Sequence, residues 1–366
     1  MAGAFMLTGS VCVPTLRGGR PRVDSITVPE GFVVEVFAEG VTNARAMCWG
    51  ARGTLFVGSR SEGVVHALLD TDQDGHADVH HIVATDLEMP VGVAFRDGDL
   101  YVSVVNGVVK LIGIEDHLAS PPEPVLVTNT YPSEKHHGWK FIAFGPDGDL
   151  YVPVGAPCNV CESEDSIFAS ISRIHPDGTD RRIIAHGVRN TVGFDWHPGT
   201  GVLWFTENGR DWMGDDSPDC ELNSLPVEGA HFGFPYCHAG NIPDPEFGTG
   251  RSCDEFKPPV ALLGPHVAPL GMRFYRGSAF PRKYHHAIFI AEHGSWNRST
   301  PIGYRVAVAY PQADGTARTE VFAEGWLSGG TATGRPVDVL EAPDGSLLVS
   351  DDHADMIYRI RYTGDH

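Results

Sequence analysis

The sequence predicts an all-β chain folded as a six-bladed β-propeller of four-stranded antiparallel blades. A short pattern of apolar strand, tight Gly turn and second apolar strand recurs six times. The hexapeptide EVFAEG occurs twice verbatim, its copies starting 285 residues apart at Glu35 and Glu320, which is five units of 57. A period of that size, carried by strand pairs, belongs to radial repeats with one sheet per unit. Turn-forming residues are abundant, with 43 Gly and 27 Pro, and no long stretch carries a helical period.

The six copies justify the blades in order. The first is ARAMCWGARGTLFVGSR (44–60), the second VGVAFRDGDLYVSV (91–104) and the third KFIAFGPDGDLYVPVG (140–155). The fourth is VGFDWHPGTGVLWFTENG (192–209), the fifth LGMRFYRGSAFPRKYHHAIFIAEHG (270–294) and the sixth VDVLEAPDGSLLVSDD (337–352). No Ser/Gly-rich linker or charge block divides the chain, so 26–366 reads as one propeller domain. The largest departure from the repeat is 210–264, rich in Pro, Gly and Asp, which predicts a loop excursion over the mouth.

Bulk properties narrow the partners. A formal charge of −20 opposes nucleic acid, whose binding needs clustered Lys and Arg. It also makes any local cluster of Arg and His informative. No apolar run reaches the roughly 18 residues of a membrane span. Residues 1–25 read either as an N-terminal arm or as the remnant of a signal segment, for 2–14 are mildly apolar but lack a basic n-region and a clear cleavage site. Of seven cysteines, Cys158/Cys161 and Cys237/Cys253 read as structural disulfides, because neither pair has haem or zinc spacing. That implies an oxidising, periplasmic or secreted location. Cys12, Cys48 and Cys220 are left over, Cys48 reading as a small apolar strand residue.

The residues just before each inner strand sit at the channel mouth. Those positions hold Pro90, His137, Arg189 and Asn190, the 266–269 stretch with His266, and Arg335. The first blade's equivalent lies near 43–45. Arginines are forks for carboxylates, and imidazole is the natural base near neutral pH. Together they predict a pocket for a multiply carboxylated ligand with a proton acceptor beside it. Bracing of sheet-end carbonyls would explain any one of these arginines alone.

Six segments carry a resemblance: HHGWKFIAFGPDGDLYVPVGAPCNVC, GVRNTVGFDWHP, WFTENGRDWMGDD, GPHVAPLGMRFY, IFIAEHGSWNRSTPIGYRV and GRPVDVLEAPDGSLLVSDD. Over nearly all of 28–362 the chain resembles the soluble glucose/sorbosone dehydrogenases, six-bladed propellers that use pyrroloquinoline quinone (PQQ) with calcium. The sorbosone-dehydrogenase-like branch is the nearest likeness. The resemblance implies oxidation of a sugar or sugar aldehyde by hydride transfer to PQQ, then electron passage to an external cytochrome or quinone. It makes His137 the catalytic base and Arg189 a stabiliser of charge on the quinone. Arg189, Asn190, His266 and Arg335 would contact the cofactor, and the carbonyls of Gly209 and Arg210 its calcium. Three positions depart from the pattern: Ala156 replaces the aspartate beside the base, Val192 a glutamine and Val337 a second arginine. The cofactor-contacting lysine has no equivalent in 290–295, where His293 or Arg298 would supply positive charge.

Some features have blander readings. Asp70, Asp72, Asp74 and Asp78 copy the start of an EF-hand loop, but the twelfth position is His81 rather than Glu. A second, structural calcium site and a solvated Asp/Gly turn both remain open. His80–His81 and His285–His286 read as strand-flanking surface or packing residues, since neighbours on a strand point to opposite faces. Two other functions stay open: a calcium-dependent lactone hydrolase, which needs side-chain carboxylates at the channel centre, and a non-catalytic ligand-binding propeller.

Overall fold

The computed structural model describes residues 23–364; the expected arm, apart from 23–25, and Cys12 lie outside the described residues. Six sheets succeed one another around a ring. Blade 1 comprises Ala44–Trp49, Leu55–Ser59, Val65–Leu69 and Val79–Ala84. Blade 2 comprises Val93–Arg96, Asp99–Val104, Gly107–Leu111 and Val125–Thr128. Blade 3 runs through Ala143–Phe144, Leu150–Val154, Ser170–Ile174 and Arg182–His186. Blade 4 holds Phe194–Trp196, Leu203–Glu207, Asp219–Leu225 and Ala261–Pro265. Blade 5 holds Pro269–Phe274, Ile288–Glu292, Arg305–Pro311 and Ala317–Glu324. Blade 6 takes Pro336–Glu341, Leu347–Asp351 and Met356–Tyr362 from the end of the chain and its outer strand, Phe32–Glu39, from the beginning.

This closure explains the hexapeptide. Its first copy lies on the outer strand of blade 6 and its second on that of blade 5. The two are five blade units apart along the chain yet on neighbouring blades of the ring.

The core is distributed between blades. Six clusters sit at successive blade junctions, such as Phe56, Val65, Val93 and Val102 between blades 1 and 2. The others fill the remaining junctions. Each sheet buries both faces against its neighbours, which is why its middle strands are almost continuously apolar. Hydroxyls on second strands tie alternate blades to the next: Ser103 Oγ donates to the Lys140 carbonyl, Thr206 Oγ1 to Leu270 and Ser350 Oγ to Arg45.

The 210–264 segment differs from the expected loop excursion. It includes the third and fourth strands of blade 4. The true insertion lies between those strands, with a short hairpin, Cys237–His238 against Ile242–Pro243. Within it Ala230–His231 adds a fifth, parallel strand to blade 3. Cys158–Cys161 and Cys237–Cys253 are disulfide-bonded. Cys220 is buried and Cys48 partly so, both as free thiols.

Candidate functional site

Strand direction decides what reaches the mouth. The first strand of each blade starts there, so the antiparallel second strand ends there. A cavity of about 320 Å³ opens at this place, and both sets of residues line it. From the starts of inner strands come Arg45, His137, Arg189, Asn190, His266 and Arg335; from the ends of second strands come Arg60, Asn208, Gly209, Asp211, His293 and Trp296.

His137 is buried, with φ +50°. Its Nδ1 lies 2.9 Å from the Ala156 carbonyl. A carbonyl only accepts, so Nδ1 carries the hydrogen and Nε2 keeps its lone pair. Loss of the aspartate at position 156 therefore leaves the ring oriented, by main chain instead of carboxylate. Burial, then the charge of Arg189 and the neighbouring His136 ring, push the His137 pKa down to about 2. The imidazole is neutral at pH 7. Gly155 is required here, because a Cβ on it would stand 2.5 Å from the His137 Cβ.

Arg189 is fully engaged. Its Nε donates to the Asn159 carbonyl, Nη1 to the Asn208 and Gly209 carbonyls at 3.1 and 3.0 Å, and Nη2 to Asn159 Oδ1 and Asp211 Oδ2. Arg189 thus cross-braces two mouth loops and acts into the cavity through its charge. Asn159, which sequence reasoning passed over, sits between the disulfide-linked Cys158 and Cys161. Its amide also holds the Asp211 main chain at both N–H and C=O. Arg189 O accepts the Ala156 N–H at 2.8 Å. One residue, Ala156, therefore couples the arginine brace, through its N–H, to the histidine, through its carbonyl.

The other expected residues divide. The Asn190 side-chain amide makes no hydrogen bond with the described residues, although its carbonyl accepts from Asn208. His266 donates Nε2–H to Gly214 O at 2.8 Å. Arg335 donates to the His293 and Gly294 carbonyls and packs over Tyr304. Arg210 turns its side chain out of the cavity and pairs with buried Asp244, which His238 also holds at 2.8 Å. Arg298 is tied to Asp216 and the Asp215 carbonyl and does not line the cavity. His293 does line it, but burial lowers its pKa to about 4 despite Asp352, so it brings no positive charge at pH 7.

That charge comes from the first blade, which the sequence reading left almost without chemistry. Arg45 is buried, donates Nη1 to Asp352 at 2.7 Å, and has a buried Nε without a partner among the described residues. Arg60 stacks on Trp139 at 4.0 Å. Its guanidinium makes no hydrogen bond or ion pair with the described residues, and burial together with Arg45 disfavours its charge. The cavity thus draws its lining from blades 1, 3, 4, 5 and 6. Val192, Leu270 and Val337 form an apolar cluster with Trp139. Leu270 and Trp139 line the cavity, and two of the three departures, Val192 and Val337, pack behind them.

The acidic loop lies elsewhere. It joins the third and fourth strands of blade 1, on the face opposite the mouth. Asp70, Asp72 and Asp74 gather there with ligand atoms within 4.8 Å, and Asp78 instead accepts from Thr71. Asp70 and Asp74 already accept the N–H groups of Gly75 and His76, as turn-forming aspartates do.

The family model described as TrAA12-like matches residues 26–363. An uncharacterized protein of Borreliella burgdorferi is 32% identical, covering 92% of this chain and 91% of its own. A pyrroloquinoline quinone-dependent pyranose dehydrogenase of Coprinopsis cinerea is 23% identical over 79% of this chain, which spans 45% of that protein. A family AA12 carbohydrate-active enzyme of Trichoderma reesei superposes with TM-score 0.81 at 20% identity, covering 96% of this chain and 100% of the other. The PQQ domain of the Coprinopsis cinerea pyranose dehydrogenase, in its holo form, superposes with TM-score 0.77 at 20% identity, covering 95% and 99%. At these identities the superpositions establish the ring fold.

Proposed function

The chain belongs to the TrAA12-like family, and from that premise we propose that it oxidises a sugar or sugar aldehyde by hydride transfer to pyrroloquinoline quinone. The observation that carries this reading is the unpaired Arg60 guanidinium in a cavity that also holds three other arginines. In a chain of net charge −20, an unpaired, partly desolvated cation is a receptor for anions. PQQ, a flat quinone with three carboxylates, fits these donors. Arg60, the free Nε of Arg45, Arg335 and the Asn190 amide would hold its polar edge, and Leu270 with Trp139 its ring faces. When bound, the quinone supplies the carbon that accepts hydride.

The protein's own part is proton transfer and positioning. His137 Nε2 takes the proton of the substrate hydroxyl, with Nδ1–H fixed on Ala156. A pKa of about 2 makes the empty-site imidazole a weak base. Carboxylates placed against Arg60 and Arg189 cancel part of the charge that weakens it, so filling the pocket strengthens the base. Arg189 keeps the Ala156 peptide in place and adds positive potential. His266 anchors the 209–218 loop through Gly214.

Calcium at Gly209 and Arg210 fits this wall less well. The Gly209 carbonyl already accepts from a guanidinium, and Asp211, the one carboxylate lining the cavity among the described residues, is held by Arg189 and Asn297. The same lack of carboxylates disfavours the lactone hydrolase. The two disulfides support a periplasmic or secreted setting, where an external acceptor, a cytochrome or quinone, would reoxidise the enzyme.

The test is to titrate the apoprotein with PQQ, with and without calcium, and follow dye reduction with aldoses and sorbosone. Dye reduction should appear and fall at least a hundredfold in His137→Ala, the scale of a lost general base. Absence of PQQ binding overturns the reading.

A further inference from the structure

Two mouth loops, 209–218 from blade 4 and 293–303 from blade 5, meet above the cavity, and each carries a tryptophan. Trp212 and Trp296 are 67% and 66% exposed. Their rings stand 5.5 Å apart at an interplanar angle of 90°. Trp296 and Asn297 line the same cavity as His137.

The pair is held in place by its loops. Asn297 Nδ2 donates to Asp211 Oδ1 at 2.7 Å, Arg298 Nε to the Asp215 carbonyl at 2.9 Å, and Arg298 Nη2 to Asp216 Oδ1 at 2.6 Å. Trp212 is kept at φ +70°, a conformation that bulky residues rarely adopt. A strained backbone and a set of braces are here spent on presenting an indole to solvent. Beside it, the Oδ1 of Asn297 is buried without a hydrogen-bond partner among the described residues.

We propose that Trp212 and Trp296 form a second sugar subsite, receiving the pyranose ring next to the one presented to His137, so that the substrate is the end of an oligosaccharide. This rests on the sugar-dehydrogenase reading above. A pyranose ring has an apolar C–H face and a rim of hydroxyls. One indole face covers the first, the second indole closes the ring's edge, and Asn297 Oδ1 accepts from the rim. The size also favours a sugar over a docking protein, whose stable interfaces bury about 800 Å² per partner. Among the described residues the other exposed large apolar side chains lie away from this pair: Ile82, Val125, Leu126, Leu262 and Val321 on outer strands, and Ile112 and Val227 in the turns after third strands.

The experiment uses the PQQ-loaded enzyme, glucose, cellotriose and maltotriose, and a small dye acceptor, with trisaccharide titration of apoprotein indole fluorescence as a second readout. Trp212→Ala and Trp296→Ala should raise the trisaccharide-to-glucose KM ratio about tenfold, with Trp→Phe restoring much of it. Fluorescence quenching by at least one trisaccharide should be present in the wild type and lost in Trp212→Ala. If the loaded enzyme oxidises no sugar, the function reading fails, and the titration alone decides the subsite. Equal KM shifts for glucose and trisaccharide, absence of quenching, or an effect seen only when a cytochrome replaces the dye would overturn the proposal.

Discussion

Replacing Arg60 with alanine removes a cation that the fold leaves unpaired, and the structure sets the size of the effect. A charge-assisted hydrogen bond is worth about 1.5–3 kcal/mol net. An ion pair at about 4 Å in a partly desolvated site has a Coulomb energy of about 4 kcal/mol before desolvation is subtracted. Arg60→Ala should therefore weaken PQQ binding by about 2–3 kcal/mol, or roughly 30–150-fold in Kd. Stability should move little. The stacking on Trp139 is worth about 0.5–1 kcal/mol. Against that, Arg45 and burial both disfavour the charge, so relief of repulsion offsets much of the loss. Isothermal titration of the apoprotein with PQQ gives the first quantity and urea unfolding the second. Affinity unchanged within twofold would refute the reasoning. So would a loss of more than about 2 kcal/mol in stability, which would make Arg60 a structural residue.

Asp352 gives the opposite signature. Burial opposes its charge, yet His293 and Arg45 hold its carboxyl well below the usual carboxylate range. Asp352→Asn strands a buried guanidinium and should cost about 3–5 kcal/mol in urea unfolding; the wild-type contribution is present above pH 3.8 and lost as pH falls. For His137 the sign follows from a folded pKa of about 2 against 6.5 unfolded. Between these values the unfolded chain binds the extra proton, so stability falls with acid below about pH 6.5, by about 1.4 kcal/mol per unit. A His137→Gln variant should show a slope shallower by one proton when urea midpoints are followed against pH. Gly155→Ala puts a methyl 2.5 Å from the His137 Cβ. The overpacking should cost about 1–3 kcal/mol and lower kcat with PQQ affinity nearly kept, which steady-state kinetics and titration separate.

The ring was legible because each blade repeats its strand pair and turns on glycine, and a period survives wide divergence of side chains. Half of the site was legible for the same reason. His137, Arg189, Asn190, His266 and Arg335 all lie in the few residues ahead of an inner strand, so one ruler found them. The other half was missed because that ruler was laid at one end only. Arg60, Asp211 and Trp296 follow second strands, and antiparallel pairing returns those ends to the same face. The residue after each second strand was the available signal, and only Gly209–Arg210 and His293 drew attention to it. Arg45 fell within the first blade's mouth stretch but lacked a visible partner, for Asp352 lies 307 residues away. The role of Ala156 was illegible in principle, since its main chain does the orienting and any residue supplies a carbonyl.

The shared last blade has a consequence for how the protein comes into being. Its outer strand is made first and its other three last, and the pairing of Phe32–Glu39 with Met356–Tyr362 joins opposite ends of the chain. Contacts of such long sequence separation form late, because the intervening chain must first be ordered. Synthesis from the N-terminus therefore lays down five blades as an open arc, with Arg45 and Arg60 at one tip. Asp352 and Arg335 arrive only with the closing blade. A nascent or truncated chain lacks the complete arginine-lined cavity, and under the proposed function competence to bind PQQ would report that the circle has shut.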